Sequence, residues 1–175
     1  MQMAKGGLQI GLALLLAALA VSPTHAETID RVLAVVAGQL ITQSDVTAAI
    51  DMGLQSPAAA SDPVRAVLDK LIERELVIAE VERYAPAEPT TEGVDREVQR
   101  VRERFPSAAA FSAALERSGI DEKHLRETLR QDLRVRAYLD QRFSPGTERR
   151  AGLVNEWVAG LRRRGDVVDL YLSGR

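Results

Sequence analysis

At 175 residues the chain has room for one domain, and 23 basic against 25 acidic residues leave a formal net charge of only −2. That balance supplies no electrostatic footprint for nucleic acid. The absence of cysteine excludes disulfides and thiolate metal sites, and two histidines, His25 and His124, are too few for a histidine-based metal cluster or catalytic dyad.

The first 26 residues read as a targeting signal. Lys5 is their single charge, Leu8 to Val21 is apolar except at Gln9 and Gly11, and Thr24-His25-Ala26 ends in the small residue a signal peptidase needs. Cleavage is expected between Ala26 and Glu27. The apolar run is short of the roughly 20 residues that span a bilayer, so no stable membrane insertion is expected after cleavage, and the mature chain is expected outside the cytoplasm, where there is no ATP.

Arg31 to Ala37 is rich in β-branched and apolar residues, and Leu40-Ile41 resumes that character. Gly38-Gln39 between them fits a two-residue hairpin turn with glycine first. Thr42 opens a capping box with Asp45, and Val46, Ala49 and Ile50 give the helix that follows its apolar face. Gly53 to Ser61 reads as a loop. Asp62-Pro63 is a helix start, a cap followed by proline at the first helical position. The helix beyond it carries Val64, Val67, Leu68, Leu71, Ile72, Ile78 and Val81 in a stripe broken only by Glu75, and Pro86 and Pro89 end it.

Thr90 caps a helix with Val94, Val98, Val101 and Phe105 on one face. Pro106 stops it, and Ser107 caps a short helix carrying Phe111 and Leu115. Gly119-Ile120 has the form of a glycine-terminated helix with its hydrophobic latch. Asp121 caps the next helix, with Leu125, Leu129, Leu133, Tyr138 and Leu139 inward. Ser144-Pro145-Gly146-Thr147 is a turn. A last helix carries Val154, Trp157 and Leu161 and ends near Gly165, and Val167 to Leu172 closes the chain as a strand. A two-stranded hairpin is marginal alone, so this strand is expected to join the first two. The fold class is therefore mostly α with a small β-sheet: an N-terminal hairpin, a multi-helix core and a returning C-terminal strand. Residues 1–26 form the signal and 27–175 one domain, with 152–175 its closing helix and strand.

These segments resemble a known family. Ile29 to Val46, IDRVLAVVAGQLITQSDV, resembles the opening of the SurA-type periplasmic chaperones; Val67 to Arg83, VLDKLIERELVIAEVER, looks like their long second helix. Val94 to Phe143 matches the family's three-helix run in order and spacing. VNEWVAGLRRRGDVVDLYL, Val154 to Leu172, is similar to the C-terminal helix and strand that return to the N-terminal domain. Two departures stand out. Where the family's turn has Asn before Gly this chain has Ala37, which implies a different turn type. Longer members insert parvulin isomerase domains where only Ser144 to about Arg150 stands here, and one mature histidine with no cysteine does not reproduce a parvulin site.

The resemblance implies a chaperone that binds unfolded or extended polypeptides, outer-membrane proteins above all, in the periplasm. It implies no cofactor and no catalytic residue. The alternatives from other classes are a peptidyl-prolyl isomerase and an interaction subunit with one fixed partner. Client binding by such a domain rests on an apolar groove and extended backbone contacts. The candidate contacts are Met52, Leu54, Phe105, Phe111, Leu115 and Phe143, apolar groups near helix ends. His124 reads as a solvated helix residue, and Arg162-Arg163-Arg164 as solvating the end of the last helix, where cations suit the dipole. Carboxylate pairs such as Glu73 with Asp69 read as ordinary helix surface, and no pair has an apolar context that suggests a shifted pKa, so no general acid or base is assigned.

Overall fold

The computed structural model describes residues 30–144, 146 and 148–172. The expected signal and its cleavage point at Ala26-Glu27 lie outside the described residues.

Two short strands, β1 (Val32–Val36) and β2 (Gln39–Thr42), form the hairpin. Val36 pairs with Gln39, so the turn residues are Ala37 and Gly38, one position earlier than the sequence reading placed them. Both have positive φ, 50° and 83°. That is the mirror-image turn whose twist matches the strands, and here an alanine occupies a conformation that asparagine or glycine adopts at lower cost. Ala37 thus occupies, at a cost in strain, a turn of the type that Asn-Gly favours. The register slips between Val32 and Ala34, leaving Leu33 as an extra residue on β1. This bulge lets two consecutive side chains, Leu33 and Ala34, both be fully buried.

The helices start where the sequence caps them. Thr42 and Asp45 form both halves of a capping box on α1 (Gln43–Asp51). Asp62 caps α2 (Pro63–Tyr84), Thr90 caps α3 (Thr91–Arg102), Ser107 caps α4 (Ala108–Ser118) and Asp121 caps α5 (Glu122–Arg142). Each cap side chain accepts from a backbone N–H that the helix itself leaves unpaired. Gly119, at φ 68°, ends α4. The last helix, α6 (Arg150–Arg164), has no side-chain cap.

β3 (Val167–Asp169) adds to the open side of β1, giving an antiparallel sheet in the order β2-β1-β3. It is shorter than the expected Val167 to Leu172. The Leu170 N–H still reaches the bulge, donating to the Leu33 carbonyl at 2.9 Å, but Tyr171 turns away. Its N–H bonds the Asp169 carboxylate, and its hydroxyl lies 3.1 Å from both oxygens of Asp62 at the start of α2. Arg65 on α2 bonds Asp169 at 2.6 Å. Arg162 does not merely solvate α6: it bridges to Asp69 at 2.7 Å and Glu73 at 3.6 Å, both on α2. At the end of α6, Gly165 lies so close to Leu76 that a Cβ would collide with it.

Two apolar clusters result. The larger joins the sheet, α1, α2, Tyr138 of α5 and Leu161 of α6. The smaller gathers Met52, the valines of α3, Phe111 and Ala114 of α4, and Leu125 and Leu129 of α5. α5 therefore serves both, its first half in one and its second half in the other.

The turn supplies a direct check. Ala37→Asn is expected to stabilise the fold by about 0.5–1 kcal/mol, because asparagine tolerates the left-handed conformation. The urea midpoint rises with an unchanged slope. An unchanged or lower midpoint would refute the strained-turn reading.

Candidate functional site

Between the two clusters runs a half-open groove of about 630 Å³. Its floor is α2, presenting Leu71, Arg74, Glu75, Ile78, Ala79 and Glu82. One wall is the hairpin and α1, with Leu40, Ile41, Asp45 and Ala48, continued by Leu54 and Gln55 of the following loop. The opposite wall is Ile120 and the first half of α5, with His124, Glu127, Thr128 and Gln131. Leu40 is 59% exposed, a large apolar side chain held at the rim by its place on an edge strand.

α2 can supply this floor because its apolar residues occupy more than one face. Val67, Leu68, Ile72, Leu76 and Val81 are buried in the main core, while Leu71 and Ile78 are only partly covered. Glu75, read as a break in the stripe, belongs to the groove side. Its carboxyl has a raised pKa, which the reading of carboxylate pairs in the sequence did not address. Burial raises it, with the Asp45 and Asp132 carboxylates adding to the shift and Arg74 opposing it. Arg74 donates through Nη1 to Glu75 at 2.7 Å, through Nε to Asp132 at 2.7 Å and through Nη2 to the Thr128 carbonyl at 3.1 Å.

At the far end of the groove the charges are tied together. Arg130 donates twice to Glu127, at 2.9 and 2.7 Å, and holds that carboxyl down to about 2. The hydrogen bond from Arg134 lowers Glu82 in the same way. The Arg134 side chain is only 6% exposed and also pairs with Glu88 at 3.1 Å. Sequence reasoning missed Arg134, although an arginine one position past the inward Leu133 was the available signal.

The structure separates the six candidate contact residues. Leu54 lines the groove. Met52 and Phe111 are buried in the smaller core, with relative exposures of 0% and 3%, so they hold α1 and α4 together rather than face a ligand. Phe105 packs edge-on against Phe111 at 5.5 Å, and Leu115 packs on the same cluster. Phe143 packs on Trp157, ring centres 5.7 Å apart, at the far end of α5. Apolar residues near helix ends here close the cores. The residues that face the groove come from the hairpin, mid-α2 and the α4–α5 junction, among them Leu40, Leu71, Ile78 and Ile120.

The cleft is open along one side and mixed in character, with apolar side chains such as Leu40, Leu71 and Ile78 set among the carboxylates. Among the described residues, no cluster of His, Cys, Asp or Glu is arranged to hold a metal ion, and no helix is long and apolar enough to cross a membrane. The fold and groove together define a small, mostly helical scaffold with a three-stranded antiparallel sheet and a half-open cleft. The chain is similar to a protein named Chaperone SurA from Thiobacillus denitrificans, with 32% identity over 138 residues, 73% of this chain and 31% of that protein. The match thus spans just under a third of the relative's length. No family model matches the chain.

The shifted carboxyl has a measurable consequence. A raised folded-state pKa means that Glu75 favours folding below its unfolded value of about 4.3, and that this contribution is lost as pH rises through the raised value. Glu75→Gln is therefore expected to melt at a higher temperature than the parent at pH 7, the gap closing as pH falls towards 4. A lower melting temperature at pH 7 would mean that the Arg74 pair outweighs the burial of the charge.

Proposed function

We propose that the chain is an ATP-independent chaperone of the SurA type, acting in the periplasm on unfolded envelope and outer-membrane polypeptides. The observation that carries the reading is the half-open apolar groove between the hairpin, α2 and α5. Its rim leucine, Leu40, and floor residues Leu71 and Ile78 offer contact area to apolar side chains of many sequences. The similarity to Chaperone SurA supports the same reading. So does the amino-terminal sequence, where Lys5, the apolar run from Leu8 and Ala26 have the pattern of an export signal. Burial of client side chains in the groove, at about 25 cal/mol per Å² of apolar surface removed from water, requires neither ATP nor catalysis. In this role the protein holds its client and carries out no isomerisation.

The expected outcome is that the protein, at concentrations comparable to the client's, slows the light scattering of several unrelated β-barrel proteins diluted from urea, with no nucleotide present. Proline-limited refolding of a test protein is not accelerated. Scattering unchanged for every client would overturn the chaperone reading, and binding confined to one partner would replace it with a dedicated subunit.

A further inference from the structure

We infer that the groove selects polypeptide segments in which apolar residues are flanked by lysine or arginine. This rests on the polypeptide-binding reading above and adds the chemistry of the preferred segment. The argument is charge complementarity. Four carboxylates, Asp45, Glu75, Glu82 and Glu127, line the groove against a single arginine, Arg74. All three guanidinium nitrogens of Arg74 already donate to protein oxygens, so it is committed to the groove wall and is not poised to receive an anionic client. Glu82 and Glu127 are likewise engaged, by Arg134 and Arg130.

The remaining pair is Asp45 on α1 and Glu75 on α2, which face the groove from its wall and its floor. Asp45 accepts both Thr42 bonds on Oδ2, and Glu75 meets Arg74 through Oε1. Asp45 Oδ1 and Glu75 Oε2 take no hydrogen bond among the described residues. Repulsion between these two carboxylates, part of what raises the Glu75 pKa, is relieved when a cation arrives. Leu71 and Ile78 flank Glu75 on α2, so a lysine stem finds apolar cover while its ammonium reaches the carboxylates. An acidic segment meets repulsion in the same place, which gives discrimination in both directions.

The test uses three fluorescently labelled peptides of one apolar sequence, carrying Lys, Ser or Glu at the same two flanking positions, titrated into the protein by anisotropy. The lysine peptide is expected to bind about three- to tenfold tighter than the serine peptide, with the glutamate peptide weakest and the differences shrinking in salt. Glu75→Gln is expected to reduce the lysine-to-serine ratio, whereas Glu92→Gln, on the exposed start of α3, leaves it unchanged. Equal binding of all three peptides would overturn the selection while leaving the polypeptide-binding reading intact. Failure of all three to bind would overturn both.

Discussion

Hydrogen bonding on both sides of β1 is the constraint on which the structure depends. Alone, the hairpin of β1 and β2 would be a marginal two-stranded unit with an open edge. β3 closes that edge, and in doing so brings α6 against α2. The return is then fastened by links to α2: Arg65 to Asp169, Arg162 to Asp69, and Tyr171 to the capping carboxylate of Asp62. The two ion pairs among them are partly exposed and individually worth little. Their effect is orientation: with Leu161 buried and Gly165 against Leu76, they fix the roll of α2 about its axis. That roll decides which residues of α2 look into the groove.

Fixing the roll also places Glu75 where its charge is partly stripped of water. A buried carboxylate is retained at a cost in stability. The groove is thus graded along its length. Near the hairpin, Asp45 and Glu75 have spare acceptor capacity; near the middle of α5, Arg130 and Arg134 neutralise Glu127 and Glu82. Apolar Leu71 and Ile78 stand on either side of Glu75 along α2.

Much of the fold was legible because its signals are local. Thr42 with Asp45, Asp62 with Pro63, Thr90, Ser107 and Asp121 each mark a helix start within four residues, and Gly119 marks an end. The hairpin turn was misplaced by one residue because glycine alone suggested the turn, while Ala37 gave no sign of a left-handed conformation. β3 was drawn too long because Leu170 and Tyr171 have strand composition, and the contact that ends the strand is with Asp62, over a hundred residues away. The groove was the least legible part. It is assembled from the hairpin, α1, mid-α2 and the start of α5, and no local pattern distinguishes Leu71, facing the groove, from Ile72, in the core. Of the six candidate contacts only Leu54 reaches it, and the shift at Glu75 comes first from burial by the surrounding elements, with Asp45 and Asp132 adding to it.

On the proposed function, clients lie in this groove and not on β3 and the residues after it, where Val168, Leu170 and Leu172 are also exposed. Because the chain has no cysteine, single cysteines can be introduced one at a time at Gln39, Gln55 and Thr128 around the groove and at Val168 on β3. Each is labelled with a photoactivatable cross-linker and mixed with an unfolded outer-membrane protein. The three groove positions are expected to give most of the client adducts and Val168 little. Adducts concentrated at Val168, with the groove positions at background, would contradict this placement of the client.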